Sequence, residues 1–312
     1  MYANRRLKMM GTVIDIAIYS HQAERQIDEV IEQLTVLKNR FSANDDDSEL
    51  MAINHSAGIS SISVQPDLYH LIAIGKEHSL ASLSNLNIAL GPVVQAWRIG
   101  FSDARVPSED EITQALALSD PRDIILDEKE HSVFLAKKGM KIDLGALAKG
   151  YIADAIMATL AKQDASSAMI NLGGNVLVYG ANPKRPSGEW FIGIQAPSHK
   201  RGVHLGVLPI TSGSVVTSGI YERHLSVNGK DYHHIFDKKT GYPIESPLSS
   251  LTIVSALSLD CEIWTTRLFG LALDEVLFAI EQTPHIEGIL VTREGRVILS
   301  SGLEKRFIPY HF

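Results

Sequence analysis

The sequence contains very little cysteine, since Cys261 is the single one among 312 residues. An internal disulfide and a multi-cysteine metal site are therefore excluded. Positive charge is not in excess either, because 29 Lys and Arg stand against 36 Asp and Glu, which gives a net charge of -7. Nothing in this balance points to nucleic acid or to an anionic membrane, so we expect the partner to be a protein or a small molecule.

Long apolar runs are also missing. No stretch approaches the roughly 18 to 20 apolar residues that a membrane span needs, which predicts a chain without a transmembrane helix. Residues 1–20 include basic side chains but no apolar run of signal-peptide length and no early cysteine for a lipid anchor. We therefore expect a cytoplasmic protein; the alternative is an exported or membrane-anchored protein whose native leader is missing from this sequence.

The common nucleotide-binding fingerprints are absent from the three glycine-bearing segments, DLGALAKG at 143–150, NLGGN at 171–175 and TSG at 217–219. None of them contains G-x-G-x-x-G or a P-loop pattern, and each alone is also explained by a tight turn. Asp143 is predicted to lie at a strand-to-helix junction, where its carboxylate would cap the helix. The same place would let main-chain groups approach a phosphate or a metal while Lys149 supplies positive charge.

Strand and helix patterns are mixed along the chain without a regular repeat. Residues 11–19 alternate as a strand does, and Ala23 to Phe41 carry apolar side chains at helical spacing. Further helices are predicted at 68–83, 107–117, about 144–160 and 260–281, with hairpins at 123–136 and 288–300, whereas 84–104 reads as a loop with strand fragments. This mixture favours an α+β fold over a doubly wound parallel sheet, and no linker divides residues 1–312 into separate domains.

A histidine pair begins the segment HHIFDKKTG at 233–241. Because neighbouring residues of a strand point to opposite faces, at most one of the two histidines is expected to face a given site. An unperturbed imidazole titrates near pH 6.5, so His234 is a candidate general base, and a purely structural histidine is the alternative.

The segment DCEIWTTRLFGL at 260–271 places a carboxylate and a hydroxyl on one helical face. Glu262 and Thr266 are four residues apart and could serve one hard cation. Asp260 lies well off that face at about 100° per residue, so Glu262 is the better ligand candidate. The alternative is a helix start that is simply rich in acidic and hydroxyl residues.

Taken together and in order, these segments resemble the ApbE family of FAD:protein FMN transferases. The resemblance covers about residues 8 to 275, and its ordered motifs are far more specific together than singly. They are Met10-Gly11-Thr12, Phe41 through Asn54, Gly91-Pro92 with Trp97, Asp143 through Asp154, NLGGN, TSGIYER and HHIFDKKTG.

The resemblance implies a single two-lobed α+β domain, related to the T-fold, with mixed or antiparallel sheets, flanking helices and FAD in the cleft between the lobes. It implies Mg²⁺-dependent transfer of the FMN half of FAD to a Thr or Ser hydroxyl of a client protein, with release of AMP. His234 would assist deprotonation of that hydroxyl. The implied FAD contacts are Met10, Asn44, Asn85, Leu86, Asn87, Asp143, Lys149 and Ile235, and the implied metal ligands are the carbonyl of Ala146 with Glu262, Thr265 and Thr266.

Two positions depart from the family pattern. Many members carry Asp where this chain has Glu262, which moves the carboxylate one methylene further from the backbone and bears on the geometry and number of metal ions. Asn44 lies at a position that varies, and this variation bears on the balance between transfer to protein and hydrolysis of FAD.

A metal-dependent FAD pyrophosphatase and a non-catalytic FAD carrier are the alternative functions. In the transferase, the acceptor would enter as an extended segment bound by strand edges near 211–236.

Overall fold

A computed structural model describes residues 1–197 and 199–310 of the chain. Over these residues the helices are α1 (Ala23–Phe41), α2 (Glu49–His55), α3 (Pro66–Leu80), α4 (Gly91–Trp97), α5 (Glu109–Ala117), α6 (Ala148–Lys162), α7 (Ser258–Leu268) and α8 (Leu273–Gln282). The strands are β1 (Tyr2–Met9), β2 (Thr12–Tyr19), β3 (Ile62–Ser63), β4 (Ile124–Asp127), β5 (Ser132–Leu135), β6 (Ser167–Leu172), β7 (Asn175–Tyr179), β8 (Trp190–Gln195), β9 (His204–Ile210), β10 (Gly213–Gly219), β11 (His224–Val227), β12 (Lys230–His233), β13 (Leu248–Ser255), β14 (Glu287–Thr292), β15 (Val297–Leu299) and β16 (Ile308–Pro309).

The centre of the fold is a sheet of eight strands in the order β1-β2-β6-β7-β10-β13-β14-β15, and every pairing within it is antiparallel. Three small antiparallel sheets accompany it, β11-β12, β16-β9-β8 and β3-β5-β4. Helices and antiparallel sheets are thus combined in one chain. The predicted α+β class is confirmed.

The two faces of the central sheet bury their side chains in different clusters. Ile170 of β6 packs with residues of α1 and α6, whereas its neighbour Met169 contacts the cluster built on β8 and β9. In β14, Leu290 packs with α7 and α8 while Ile289 joins the cluster of β8 and β9. Because successive strand residues point to opposite faces, this alternation places helices on one face and a smaller sheet on the other.

Helix α4 lies in the stretch 84–104 that reads as a loop, so that prediction is wrong. The Gly91-Pro92 pair begins this helix, because proline is well tolerated in the first turn. Gly91 is required because a Cβ there would stand 2.5 Å from the carbonyl oxygen of Lys141. Trp97 ends the helix fully buried and donates a 2.9 Å hydrogen bond to the carbonyl of Gly241.

The single helix predicted for 260–281 is two helices, α7 and α8. Gly270 separates them with a φ of +100°, a conformation that glycine adopts readily and other residues rarely do. A Cβ at Gly270 would also meet the side chain of Ile244 at 2.0 Å. The turn therefore combines an unusual backbone angle with a close packing contact.

Asp143 does not cap α6, so this prediction is also wrong. The helix begins at Ala148, five residues further on, and its N-cap residue Leu147 makes no side-chain cap. The Asp143 carboxylate instead accepts a 2.7 Å hydrogen bond from the N–H of Gly145 in the connecting turn.

Among the described helices, none is both long enough and apolar enough to cross a bilayer.

Candidate active site

A cavity of about 700 Å³ lies beside the end of β7 at Asn175, beyond which β10 continues without it. The pairing of these strands ends at Asn175 and Val216, and the next residues of β10, Thr217 to Gly219, line the cavity. Its size falls within the range of small-molecule and cofactor sites. The cavity therefore lies at an end of the central sheet, next to β7 and β10.

The structure brings all the site residues predicted from the sequence to this one cavity. They come from the first hairpin, from the loop between α1 and α2, from the loop before α4, from the turn before α6 and its first residues, from the segment after β12 and from α7. The thirteen that line the cavity are Met10, Asn44, Asn85, Leu86, Asn87, Asp143, Ala146, Lys149, His234, Ile235, Glu262, Thr265 and Thr266.

The most buried charge at the site is the carboxylate of Glu262, which is 4% exposed. Its Oε1 lies 3.0 Å from the ammonium Nζ of Lys149 and accepts a 2.9 Å hydrogen bond from Nδ2 of Asn175. A buried charge is costly unless it is paired and hydrogen-bonded. Both partners meet the same oxygen, and together they hold a negative charge at the floor of the cavity.

Helix α7 is held against α6 by a close contact and by main-chain capping. A Cβ at Gly150 would stand 2.7 Å from the carbonyl oxygen of Ser258 and 2.9 Å from Cγ of Glu262, so glycine permits this approach. Asp154, one turn along α6, accepts hydrogen bonds of 2.8 Å from the N–H groups of Ser258 and Leu259. Since the first N–H groups of a helix lack partners within it, Asp154 caps α7 from the neighbouring helix.

Burial raises the pKa of Asp154 to about 6, although the two N–H donors act in the opposite direction. Ser258 continues the same network, because its hydroxyl donates a 2.7 Å hydrogen bond to Oδ1 of Asn175. A continuous set of hydrogen bonds therefore runs from Asp154 to the carboxylate of Glu262.

The register of α7 agrees with the helical geometry expected from its sequence. Glu262, Thr265 and Thr266 line the cavity, whereas Asp260 does not and lies 3.4 Å from the hydroxyl of Ser255. The Thr265 hydroxyl donates a 3.1 Å hydrogen bond to the carbonyl of Glu262.

The two histidines point to opposite sides, as predicted. His233 is buried, with Nδ1 accepting the N–H of Ile235 and Nε2 lying 3.0 Å from the carbonyl of Ile244. His234 lines the cavity, and its Nδ1 lies 3.2 Å from the carbonyl oxygen of Arg223. A carbonyl can only accept, so Nδ1 carries the hydrogen and Nε2 holds the free lone pair.

The electrostatic surroundings of His234 favour its neutral form. Burial, followed by the positive charge of Arg223, lowers the imidazole pKa to about 4. Asp143 on the same cavity wall has its pKa raised by burial, against the effects of the Gly145 N–H and of Arg223. The cavity therefore combines a neutral imidazole with a carboxyl group whose proton affinity is increased.

Side-chain amides fix the loop that precedes α4. Asn85 donates a 2.9 Å hydrogen bond to the carbonyl of Phe236, which ties this loop to the segment carrying His234. Asn87 donates to the carbonyl of Ser119 at 2.8 Å and accepts the N–H of Ala89 at 2.8 Å. Both amides thus give the cavity wall a fixed shape.

Eight polar residues of the cavity were not singled out from the sequence as site residues: Thr12, Asn175, Arg201, Thr217, Ser218, Glu222, Arg223 and His224. Asn175 and Arg223 fall inside NLGGN and TSGIYER, so the motifs marked their neighbourhood but not which side chain turns inward. Arg201 lies outside every motif, and no sequence signal identifies it.

No cluster of three or more His, Cys, Asp or Glu side chains suited to a metal ion occurs in the ranges 1–197 and 199–310. A cation at this site would therefore depend on hydroxyl and carbonyl oxygens as well as on Glu262.

The cavity of this antiparallel α+β fold thus holds a neutral imidazole and an ion-paired carboxylate, groups of the kind that enzyme active sites use. The chain belongs to the ApbE family, whose sequence pattern matches residues 10–290.

Relatives and solved structures agree with this assignment. A protein of Klebsiella pneumoniae (strain 342) named FAD:protein FMN transferase is 42% identical over 96% of this chain and 92% of its own length. A protein of Treponema pallidum (strain Nichols) with the same name is 33% identical over 96% of this chain and 86% of its own. The crystal structure of the ApbE protein of Thermotoga maritima MSB8 superposes with a TM-score of 0.89 at 26% identity, covering 98% of this chain and 99% of that one.

Proposed function

We propose that this chain transfers the FMN half of FAD to a Thr or Ser hydroxyl of a client protein, forming a phosphoester and releasing AMP. The observation that carries the proposal is the convergence of thirteen residues from separate segments on one cavity beside a neutral histidine. The names of the Klebsiella and Treponema relatives support the same reaction. A cytoplasmic location stays a prediction of the sequence.

FAD would occupy the cavity through residues on several of its walls. The proposed contacts are Met10, Asn44, Asn85, Leu86, Asn87, Asp143, Lys149 and Ile235, all of which line it. Lys149 is the group suited to the pyrophosphate, because an ammonium is a strong donor to phosphate oxygens. Asp143, whose pKa is raised by burial, could donate a hydrogen bond to the flavin or to a phosphate when protonated.

The donors near α7 fit a hard divalent cation. Glu262 offers a carboxylate, Thr265 and Thr266 offer hydroxyls, and Ala146 offers a main-chain carbonyl, and all four residues line the cavity. Mg²⁺ prefers such oxygen ligands and retains several waters, so a single carboxylate is sufficient. When bound, the cation would neutralise the negative charge of the pyrophosphate and of the departing AMP.

His234 would remove the proton of the acceptor hydroxyl. The hydroxyl oxygen forms a bond to the FMN phosphorus, the P–O bond to AMP breaks, and the hydroxyl proton passes to Nε2 of His234. Such a positioned base contributes about 10²–10⁴-fold to rate. The carbonyl of Arg223 holds the ring in the tautomer that this step requires.

Product analysis tests the proposal. The purified chain is incubated with FAD, Mg²⁺ and a library of Thr-containing peptides displayed on a carrier protein, and covalent flavin, AMP and free FMN are measured. Transfer predicts carrier-bound flavin and AMP in equal amounts, both abolished by EDTA. Free FMN and AMP without bound flavin would identify a pyrophosphatase, and unchanged FAD would identify a carrier. Covalent flavin that survives EDTA would remove Mg²⁺ from the reaction.

A further inference from the structure

The hairpin of β11 and β12 leaves one strand edge uncovered at the cavity. Its two-residue turn, Asn228-Gly229, has positive φ at both positions, as a type I′ turn requires. The N–H of His234 donates to the carbonyl of Arg223, so residues 223 and 234 form a hydrogen-bonded pair of the ladder. Hydrogen-bonded and non-hydrogen-bonded pairs alternate in an antiparallel ladder.

The alternation determines which main-chain groups of β11 face outward. Leu225 and Val227 belong to hydrogen-bonded pairs, so their main-chain groups point to β12. His224 and Ser226 belong to the intervening pairs, and their N–H and C=O groups point away from the hairpin. Within the described residues β11 pairs with β12 alone, and no main-chain hydrogen bond joins this outer side to another segment.

The opposite edge of the hairpin is covered. The chain after β12 folds back so that Phe236 bridges to Pro243, and the N–H of Ile244 donates to the carbonyl of Ile235 at 2.9 Å. One face of the hairpin packs on the core, with the rings of Tyr232 and Trp97 5.1 Å apart. The outer edge of β11 is therefore presented by a hairpin that is fixed on its other sides.

The uncovered edge leads to the proposed reaction centre. Among the strands that end a described sheet, β11 is the one that contributes a residue to the cavity, His224. His224 lies opposite His233 in the ladder, and His233 directly precedes His234 in the chain. The edge of β10 that 211–236 also includes is shorter, because β10 pairs with β13 as far as Gly219 and with β7 as far as Val216, which leaves three residues, Thr217 to Gly219, without a β7 partner.

We propose that the outer edge of β11 binds the acceptor segment of the client protein as an added β-strand. This proposal rests on the transfer reaction proposed above and names how its protein substrate is held. Main-chain hydrogen bonds to His224 and Ser226 would fix an extended segment without reading its side chains. The segment would run along β11 into the cavity and present its Thr or Ser hydroxyl beside His234.

A proline at Ser226 tests the edge directly. Ser226→Pro removes the outward N–H and adds bulk at the edge, and an edge strand tolerates proline where its N–H makes no ladder bond. Ser226→Ala is the matched control, because it removes the same hydroxyl, which bonds the Asp231 carboxylate, and keeps the N–H. We expect Ser226→Pro to lower flavin transfer to a selected peptide by about tenfold or more, and Ser226→Ala to leave it within about twofold.

The probe is the peptide of about ten residues that the unaltered chain labels best in the displayed library, a length at the upper end of natural strands. FAD affinity, from quenching of flavin fluorescence, and the melting temperature should be equal in both variants. A second readout does not depend on how Ser226→Pro folds. It is a scan in which each main-chain N–H of the same peptide is methylated in turn. Strand addition predicts that sensitivity alternates along the peptide, because only every second N–H faces β11.

The outcomes separate the two proposals. If the unaltered chain labels no library member, the transfer reaction fails and the docking proposal fails with it. If it labels a peptide but Ser226→Pro retains full transfer, or the N-methyl scan shows no alternation, the transfer reaction stands and the β11 edge is not the acceptor site. Loss of transfer in Ser226→Pro together with an alternating scan supports strand addition.

Discussion

At the residue scale, the two adjacent histidines provide an internal comparison. We expect His234→Ala to lower flavin transfer by about 10²-fold or more while FAD affinity changes little, because the ring contributes a base rather than the main binding surface. His233→Ala should chiefly lower the melting temperature, since it removes a buried ring bonded to the carbonyl of Ile244. A transfer assay beside a FAD fluorescence titration measures both. Equal loss of transfer at equal melting temperatures would exclude His234 as the base.

The pH dependence of the reaction follows from the pKa of His234. Because that pKa is lowered to about 4, the base is neutral at higher pH and its contribution is lost as pH falls through about 4. The profile of kcat/KM, which reports the free enzyme, should therefore not drop near pH 6.5 on account of this group. A bound pyrophosphate adds negative charge nearby, so the apparent pKa in the kcat profile should be higher than in kcat/KM. Identical pKa values in both profiles would contradict this assignment.

The proposed role of Glu262 as a metal ligand can be tested by changing the charge and the length of its side chain. Glu262→Gln keeps the size but removes the charge, so Mg²⁺ affinity should fall about 10-fold or more and excess Mg²⁺ should partly restore transfer. Glu262→Asp should retain measurable activity, because it shortens the reach by one methylene and keeps the charge. Asp260→Asn is the matched control, since Asp260 lies on the same helix but outside the cavity. If that control shifts the dependence of rate on Mg²⁺ and Glu262→Gln does not, Asp260 is the ligand.

At the scale of elements, the contact between α6 and α7 positions the carboxylate. Gly150→Ala would place a methyl group 2.7 Å from the carbonyl oxygen of Ser258 and 2.9 Å from Cγ of Glu262, so the helices must move apart. We expect a loss of about 1–3 kcal/mol in the free energy of unfolding, the usual cost of overpacking, together with weaker Mg²⁺ binding. Calorimetric unfolding and Mg²⁺ titration measure the two effects. Gly229→Ala is the control for Mg²⁺ binding, since a Cβ there meets nothing within 4 Å; its φ of +76° makes a loss of stability expected in this variant too, but no loss of Mg²⁺ affinity.

Much of the architecture was predictable because it follows from local patterns of apolar and polar residues in the sequence. Alternating and helical spacing identified β2 and α1, and the capping box at Ser108 and Glu111 marks the start of the predicted helix α5. The errors arose where tertiary contacts override local pattern. The close approach of Lys141 to Gly91, and the positive φ of Gly270 beside Ile244, depend on the folded chain and leave no mark in the local pattern.

The candidate site was predictable only as far as its motifs extend. Resemblance to a family named residues that the structure gathers in one cavity, and helical geometry placed Glu262 with Thr266. The resemblance could not show that Asn175 turns inward to Glu262, because that depends on the tertiary contact between β7 and α7. Arg201 and Arg223 reach the cavity through the folding of loops, for which the sequence offers no periodic signal.

At the scale of the whole molecule, the cavity wall draws on segments from the first hairpin to α7, so a bound ligand should stabilise the entire fold. Binding to the folded chain alone adds about 2.7 kcal/mol to the free energy of unfolding at a ligand concentration 100 times Kd. We expect FAD with Mg²⁺ to raise the melting temperature of the unaltered chain. A melting temperature that is independent of FAD concentration would show that this cavity does not hold FAD.

The ion pair between Lys149 and Glu262 links the two ligands of the proposed site. Without ligands, the carboxylate of Glu262 and the ammonium of Lys149 neutralise each other. In the complete complex, the carboxylate would coordinate the cation and the ammonium would bind the pyrophosphate. On the proposed roles, whichever ligand arrived first would break the pair and leave the other charge free for the second, which would be positive cooperativity without a change of fold. Thermodynamic linkage requires this effect to be reciprocal, so the factor by which Mg²⁺ tightens FAD binding must equal the factor by which FAD tightens Mg²⁺ binding.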